Sequence, residues 1–318
     1  MTTALITAIG GDIAQGVAAI VREHFPDWRI LGTDIHSRHG GQLFVDRVDL
    51  APPASDRAYG EWLAAHLQSQ RVDICVPMSE VELSFVAGKP ELRALARFAM
   101  PSARAIEVGN DKLLTARFLE SIGCAAPWTL PAEELTADVS LPCIFKPRRG
   151  AGSKGVFICK SLEEVRFYRE RYPDSILQEL LLPADKEVTC SVFRSRGGDT
   201  VVLQLLRTLV GGFTGWAEVI DVLEVTQQCT RIADALDLHG PINVQLRLTN
   251  DGPRIFEINS RFSSTVLMRH RMGFCDVVWT LQDLLQQPVS LFRPAVGTNA
   301  VRVQGAAILK ARLEDEVE

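Results

Sequence analysis

Short apolar runs alternate with amphipathic stretches over the first hundred residues. Thr3 to Ile9 is an apolar run of strand length, broken by Gly10 and Gly11. Ile13 to Phe25 then carries apolar residues at helical spacing, at Ile13, Val17, Ile20 and Val21. Arg29 to Thr33 predicts a second strand ending at Asp34. A polar stretch with Pro52 and Pro53 follows as loop. Tyr59 to Gln70 predicts a helix, and Val72 to Val76 a third strand stopped by Pro77. Strand, helix, strand, helix, strand predicts a parallel, doubly wound α/β unit over residues 1–100.

The pattern changes near Met100 and Pro101. Asp111 to Ile122 is amphipathic and ends at Gly123, a helix-terminating residue. Cys143 to Lys146 and Val156 to Cys159 predict strands around a glycine-rich turn. A helix over Leu162 to Arg171 and a strand over Ile176 to Leu181 follow. Beyond this lie alternating stretches at Val188 to Phe193, Thr200 to Leu206, Ile242 to Leu248 and Arg254 to Ile258, with a helix over Thr226 to Leu238. The second part is therefore expected to be α+β, with two sheets.

Composition narrows the class. The 318 residues suggest about two domains, and 47% hydrophobic with 23% charged residues is a globular balance. Lys plus Arg is 34 and Asp plus Glu is 39, a formal net charge of −5, which argues against a nucleic-acid or anionic-membrane partner. No apolar run approaches the roughly 18 residues of a membrane span. The seven cysteines are scattered, without Cys-x-x-Cys spacing, so neither a disulfide framework nor a zinc site is expected. The N-terminus has no secretory pattern, and the expected location is cytoplasmic. His36 and His39 lack a nearby third ligand and read as a polar loop.

Three constellations carry candidate chemistry. Gly10, Gly11, Asp12 and Gly16 lie between a strand and a helix, with Asp34 ending the next strand. The spacing is not Gly-x-Gly-x-x-Gly, so a tight turn that binds no dinucleotide is the better reading. Lys146 is followed by Pro147, Arg148, Arg149 and a loop of Gly150, Ala151, Gly152, Ser153, Lys154 and Gly155. Such a loop can close its backbone amides over a polyphosphate, with lysine as a point charge; a basic hairpin turn is the plain alternative. The third is Asn243-Val244-Gln245, then Glu257-Ile258-Asn259-Ser260-Arg261. A turn at Asn250, Asp251 and Gly252 should pair the strands, converging Gln245, Glu257 and Asn259 as oxygen ligands. One carboxylate among neutral oxygens suits Mg²⁺ whose other ligands are phosphate oxygens and water.

Together these motifs resemble the ATP-grasp superfamily, most closely the ATP-grasp half of the carbamoyl phosphate synthetase large chain, over essentially the whole length. The resemblance implies a Rossmann-like pre-ATP-grasp domain at 1–100, including Pro77, Met78, Ser79, Glu80 and Glu82. A two-subdomain ATP-grasp fold would follow at 101–318, with a lid at 113–180 and a catalytic subdomain at 181–318. It assigns Lys112 to the α-phosphate and Lys146 to the α- and β-phosphates. Gly150 to Gly155 would form the loop over the β- and γ-phosphates. Gln178, Glu179, Leu180 and Leu181 would form the adenine hinge, and Glu187 would meet the ribose. Gln245, Glu257 and Asn259 would be metal ligands, for one or two Mg²⁺ (or Mn²⁺). Arg261 and Lys146 would stabilise the transferring phosphoryl group. Gly11, Asp12, Glu80, Arg207 and Arg269 are the expected substrate-side residues. Gln245 stands where many members have a carboxylate, and Ser153 where glycine is common.

The activity so implied is an ATP-dependent carboxylate–amine ligase working through an acyl phosphate, in a small-molecule or surface-polysaccharide pathway. The partners would be a small carboxylate and an amine, and a homodimer is a family-level expectation. A phosphotransferase on the same fold and a non-catalytic nucleotide- or metabolite-binding module are the alternatives.

Overall fold

The computed structural model describes residues 1–136, 138–150, 155–303 and 305–309. Its first sheet is parallel. Strands β1 (Thr3–Ile6), β2 (Arg29–Asp34), β3 (Arg47–Leu50), β4 (Ile74–Val76) and β5 (Arg97–Phe98) lie in the order β3-β2-β1-β4-β5. Strand β1 is buried along its whole length, as a central parallel strand covered on both faces must be. Strand β3 lies where the sequence pattern predicts loop. Its Arg-Val-Asp-Leu pattern is only partly buried because it forms an edge, where charged side chains are tolerated. Helices α1 (Asp12–His24), α2 (Tyr59–Ser69), α3 (Glu80–Ala87) and α4 (Pro90–Arg93) complete the unit. Ser79 and Glu82 form a reciprocal capping box at the start of α3. The Glu82 carboxylate also accepts hydrogen bonds from Thr7 Oγ1 at 2.7 Å and the Tyr59 hydroxyl at 3.0 Å.

The Gly10 amide donates to Asp34 Oδ2 at 2.8 Å, and the His36 amide to Asp34 Oδ1 at 2.9 Å. Asp34 therefore closes its own loop, which supports the tight-turn reading of this glycine stretch.

Helices α5 (Ala103–Gly109) and α6 (Lys112–Ser121) lead into a four-stranded antiparallel sheet. Strands β6 (Thr129–Pro131), β7 (Cys143–Pro147), β8 (Phe157–Cys159) and β9 (Ser175–Glu179) take the order β6-β9-β7-β8, with α7 (Leu162–Arg171) across one face. Phe145, Val165 and Leu177 centre its core. Phe118 and Leu119 of α6 are instead buried in the core of the next sheet. The small subdomain thus begins near Trp128 rather than at residue 113.

The largest sheet is antiparallel. It contains β10 (Glu187–Arg194), β11 (Thr200–Val210), β12 (Phe213–Ile220), β13 (Gly240–Thr249), β14 (Gly252–Asn259) and β15 (Asn299–Val301), in the order β14-β13-β10-β11-β12-β15. Helix α8 (Leu223–Ala235) buries Val225, Cys229 and Ile232 against one face. Phe274 and Trp279, flanking and within α10 (Asp276–Leu284), cover part of the other face. Helix α9 (Val266–Arg271) and α10 also reach back to the first sheet: Val266, Val277 and Leu281 share one core with Val17, Ile20 and Val21 of α1.

This seam corrects the expectation for Arg269. Its side chain is 1% exposed and pairs with Asp276 through Nε at 2.9 Å and Nη2 at 2.7 Å, while Nη1 meets Ser263 and Thr265. A guanidinium so enclosed has no face for a substrate. Removing one partner of a buried pair strands the other's charge, at a cost of about 3–5 kcal/mol. Arg269→Met should lower unfolding stability by about that amount in urea titrations. Adding Asp276→Leu should restore most of it.

Candidate active site

A cavity of about 350 Å³ separates the small and large antiparallel sheets. Strand β7 supplies Lys146, β9 leads to Leu180 and Leu181, and β13 and β14 supply the floor. The predicted hairpin forms, with Asn243 opposite Asn259 and Gln245 opposite Glu257. After that pair the register shifts, so Leu246 faces Ile255 and Phe256 is the extra residue of a bulge. The bulge lets both Phe256 and Glu257 line the cavity.

Lys146 is 5% exposed, and its Nζ lies 5.7 Å from the Phe256 ring centroid. Among the described residues it forms no ion pair. Burial pulls its pKa down to about 8; Glu257 pushes it back up and Lys112 pulls it further down. A buried cation without a paired carboxylate is poised for an anionic ligand. Among the described residues, the Glu257 carboxylate also takes part in no hydrogen bond or ion pair.

The base of the glycine loop is tied down on one side. Asp111 caps α6 through the Leu113 and Leu114 amides, accepts from Arg148 Nε at 2.7 Å, and pairs with Arg149 Nη2 at 3.1 Å. Burial opposes its charge, but the Arg148 hydrogen bond, the Leu114 amide and the two guanidinium charges prevail and hold this carboxyl below the usual range. Lys112 Nζ donates to the Gly150 carbonyl at 2.7 Å, placing it at the loop entrance. Gly155 leaves the loop at φ +74°, where an added Cβ would meet Pro147 Cγ at 3.0 Å. Ala151, Gly152, Ser153 and Lys154 lie outside the described residues.

Several side chains are engaged differently from the resemblance. Glu179 was assigned to adenine, but its Oε2 accepts from the Trp128 amide at 3.2 Å and Arg254 Nη2 at 3.0 Å. Gln178 donates to Thr129 Oγ1 at 2.9 Å, so the interaction left to this hinge segment is through its backbone. Glu187, assigned to the ribose, is clamped at 2.6 Å by Arg207 on one oxygen and at 2.6 Å by Arg247 on the other. Arg207 Nη2 also donates to Gln245 Oε1 at 3.1 Å, so the oxygen expected to meet a metal already has a partner. Gln178, Glu179, Glu187, Arg207, Gln245 and Arg247 all line the cavity.

At the other end, Arg261 meets Glu80 Oε1 through Nε at 3.2 Å and Nη2 at 3.0 Å, and lies 3.4 Å from Asn259 Oδ1. This pair joins the parallel sheet's α3 to the large sheet. Gly11 and Asp12 are exposed and do not line the cavity; Asp12 contacts Arg302 at 3.4 Å. Sequence reasoning missed Arg247 and Phe256. Arg247 continues the period of Asn243 and Gln245 along one strand face, a signal that was available. The bulge that exposes Phe256 was not.

Comparison with known proteins bears on the family. A family described as "ATP-grasp in the biosynthetic pathway with Ter operon" matches residues 171–305. The carbamoyl phosphate synthase large chain of Pyrococcus furiosus is 27% identical over 182 residues, covering 50% of this chain and 17% of that one. The D-alanine–D-alanine ligase of Thermotoga petrophila is 36% identical over 97 residues, covering 29% and 31%. The chain therefore spans less than a third of the length of these two curated relatives. The solved N5-carboxyaminoimidazole synthetase of Staphylococcus aureus, complexed with ADP, superposes with a TM-score of 0.76. It is 16% identical, and the match covers 94% of this chain and 80% of that one. Over residues 171–305 the chain is thus similar to an ATP-grasp family, and over nearly its whole length it shares the fold of these ligases and synthetases. The L-amino acid ligase of Bacillus licheniformis superposes with a TM-score of 0.72 at 17% identity, over 90% and 74% of the two chains.

The buried lysine gives a pH signature. In the free protein Lys146 loses its proton as pH rises through about 8, and a polyphosphate favours the protonated form. Nucleotide affinity should fall above that pH, with proton uptake on binding when calorimetry is repeated in buffers of different ionisation enthalpy. Lys112→Met removes a neighbouring cation and should move the fall to higher pH.

Proposed function

We propose that this protein is an ATP-grasp enzyme, an ATP-dependent carboxylate–amine ligase. The observation that carries the reading is the facing arrangement of Lys146 and Glu257 across one cavity, with Asn259 and Arg261 continuing from Glu257. A lysine held without a carboxylate partner matches phosphate. A carboxylate beside neutral amide oxygens matches a hard divalent cation that keeps water and phosphate ligands.

In this reading Lys112, Lys146 and the Gly150–Gly155 loop hold the triphosphate, and Leu180 and Leu181 present backbone to the base. Glu187 stays fixed by its two arginines and offers the ribose a carboxylate already in place. Glu257 and Asn259 would hold Mg²⁺. Gln245 would join them only by giving up its bond from Arg207. The cation, when bound, would neutralise charge on the β- and γ-phosphates. A substrate carboxylate oxygen attacks the γ-phosphorus, the bond to ADP breaks, and an acyl phosphate forms. Lys146 and Arg261 would stabilise the transferring charge. The amine then attacks the acyl carbon, phosphate leaves, and the amine nitrogen gives up a proton. Closure of the small subdomain keeps water from the acyl phosphate.

The substrate would sit between Glu80 and Arg261 on one side and the β11–β12 hairpin on the other. The assay measures ADP release with panels of small carboxylates and amines. Glu257→Gln should lower the turnover by about 100-fold or more, the range for losing a group that acts on developing charge. ADP release that needs both substrates supports ligation. Release with one acceptor alone and a stable phosphorylated product points to the phosphotransferase alternative.

A further inference from the structure

The seam between α1 and α9 holds a second cluster, unrelated to the cavity. Ile13, at the start of α1, lines the cavity, whereas His24 lies eleven residues further along, about 16 Å down the helix axis. There His24 Nε2 and His270 Nε2 face each other at 3.3 Å. Their ring planes are crossed at 88°, with centroids 5.0 Å apart. Glu23 Oε1 lies 3.9 Å from His270 Nε2. The three ligand atoms all fall within 4.8 Å of one another. Among the described residues no other group of three His, Cys, Asp or Glu side chains does so.

These distances have a specific meaning. Two imidazole nitrogens bound tetrahedrally to one ion at about 2.0–2.1 Å stand about 3.3 Å apart. Their ring centroids are then separated by roughly 5 Å, because the ion lies in the plane of each ring. Both values match those found. His270 Nδ1 is buried without a partner among the described residues, so the tautomer is not fixed from that side, and Nε2 offers its lone pair in the form that carries the proton on Nδ1. Glu23 and His24 are exposed, which provides an entry path. Arg271 Nη1 competes for this carboxylate at both oxygens, 3.1 Å from Glu23 Oε2 and 3.3 Å from Oε1, so metal binding would displace the guanidinium from Oε1.

We propose that Glu23, His24 and His270 form a transition-metal site of the zinc class, completed by water, that pins α1 to α9. Two imidazoles and one carboxylate select Zn²⁺ or Co²⁺ over Mg²⁺, so the site is chemically distinct from the oxygen ligands of the cavity. The clamp joins residues 246 positions apart and closes the seam between the first and last parts of the fold.

The experiment uses the full chain, stripped with chelator and titrated with ZnCl₂ or CoCl₂ in the absence of nucleotide. One equivalent of Co²⁺ should give the intense visible bands of tetrahedral cobalt. Zn²⁺ at a hundred times its dissociation constant should raise the melting temperature by about 4 °C. His24→Ala, at an exposed helix end, should keep the metal-free melting temperature and lose both responses. His36→Ala and Glu257→Gln should keep both. A wild type with no cobalt bands, or bands that persist in His24→Ala, would overturn the site and leave a simple N–H···N bond between the rings. Neither readout depends on turnover, so failure here and failure of the ligase reading are separable.

Discussion

Helix α1 is held in one core between the parallel sheet and helices α9 and α10. Its apolar residues pack on the parallel sheet and, through Val17, Ile20 and Val21, on Val266, Val277 and Leu281 from the far end of the described chain. The approach is close: a Cβ on Gly16 would stand 2.9 Å from Val266 Cγ1. Opening this seam would expose apolar surface on three elements together, so the parallel sheet and the large antiparallel sheet are held as one body. The Arg269–Asp276 pair sits inside the seam, where its hydrogen bonds fix how α9 meets α10.

With that frame fixed, the cavity is shaped by a single irregularity. A regular β13–β14 ladder would send Phe256 to the face opposite Glu257. The bulge puts both on the cavity side, so an aromatic ring lies beneath Lys146 while a carboxylate stands nearby. The ring and the burial together keep the lysine dry, and this makes its charge costly until an anion arrives. The Glu187 clamp works the other way. Two arginines share one carboxylate, and Arg207 has enough donors left to hold Gln245 and Thr214 as well. One end of the cavity is therefore electrostatically satisfied and the other is not.

Much of this was legible in the sequence, because the strongest signals are periodic. The Asn243–Gln245 and Glu257–Asn259 spacing gave the hairpin and its facing residues, and the pattern from Leu162 to Arg171 gave α7 to the residue. What escaped depends on position in the fold. Edge strand β3 carries charge because it is an edge, and β12 was hidden by Gly215 and by the turn at Gly211 and Gly212. Arg269 lies in a run of three basic residues that reads as a solvated turn. Its burial needs Asp276, seven residues on and on another helix. The partners of Glu179 and Gln245 likewise come from strands distant in sequence, and no local pattern announces them.

The cysteines gain a use from their placement. Six of the seven are buried: Cys75 in the parallel sheet, Cys143 and Cys159 in the small sheet, and Cys190, Cys229 and Cys124 in the core under the large one. Burial raises the thiol pKa of Cys75, Cys143, Cys159 and Cys190, so alkylation in place is disfavoured both sterically and chemically. Modification of each must await the opening of its own layer. The native thiols thus form a built-in set of clocks, one or more per sheet, that would time the breathing of the small sheet separately from the body it closes upon.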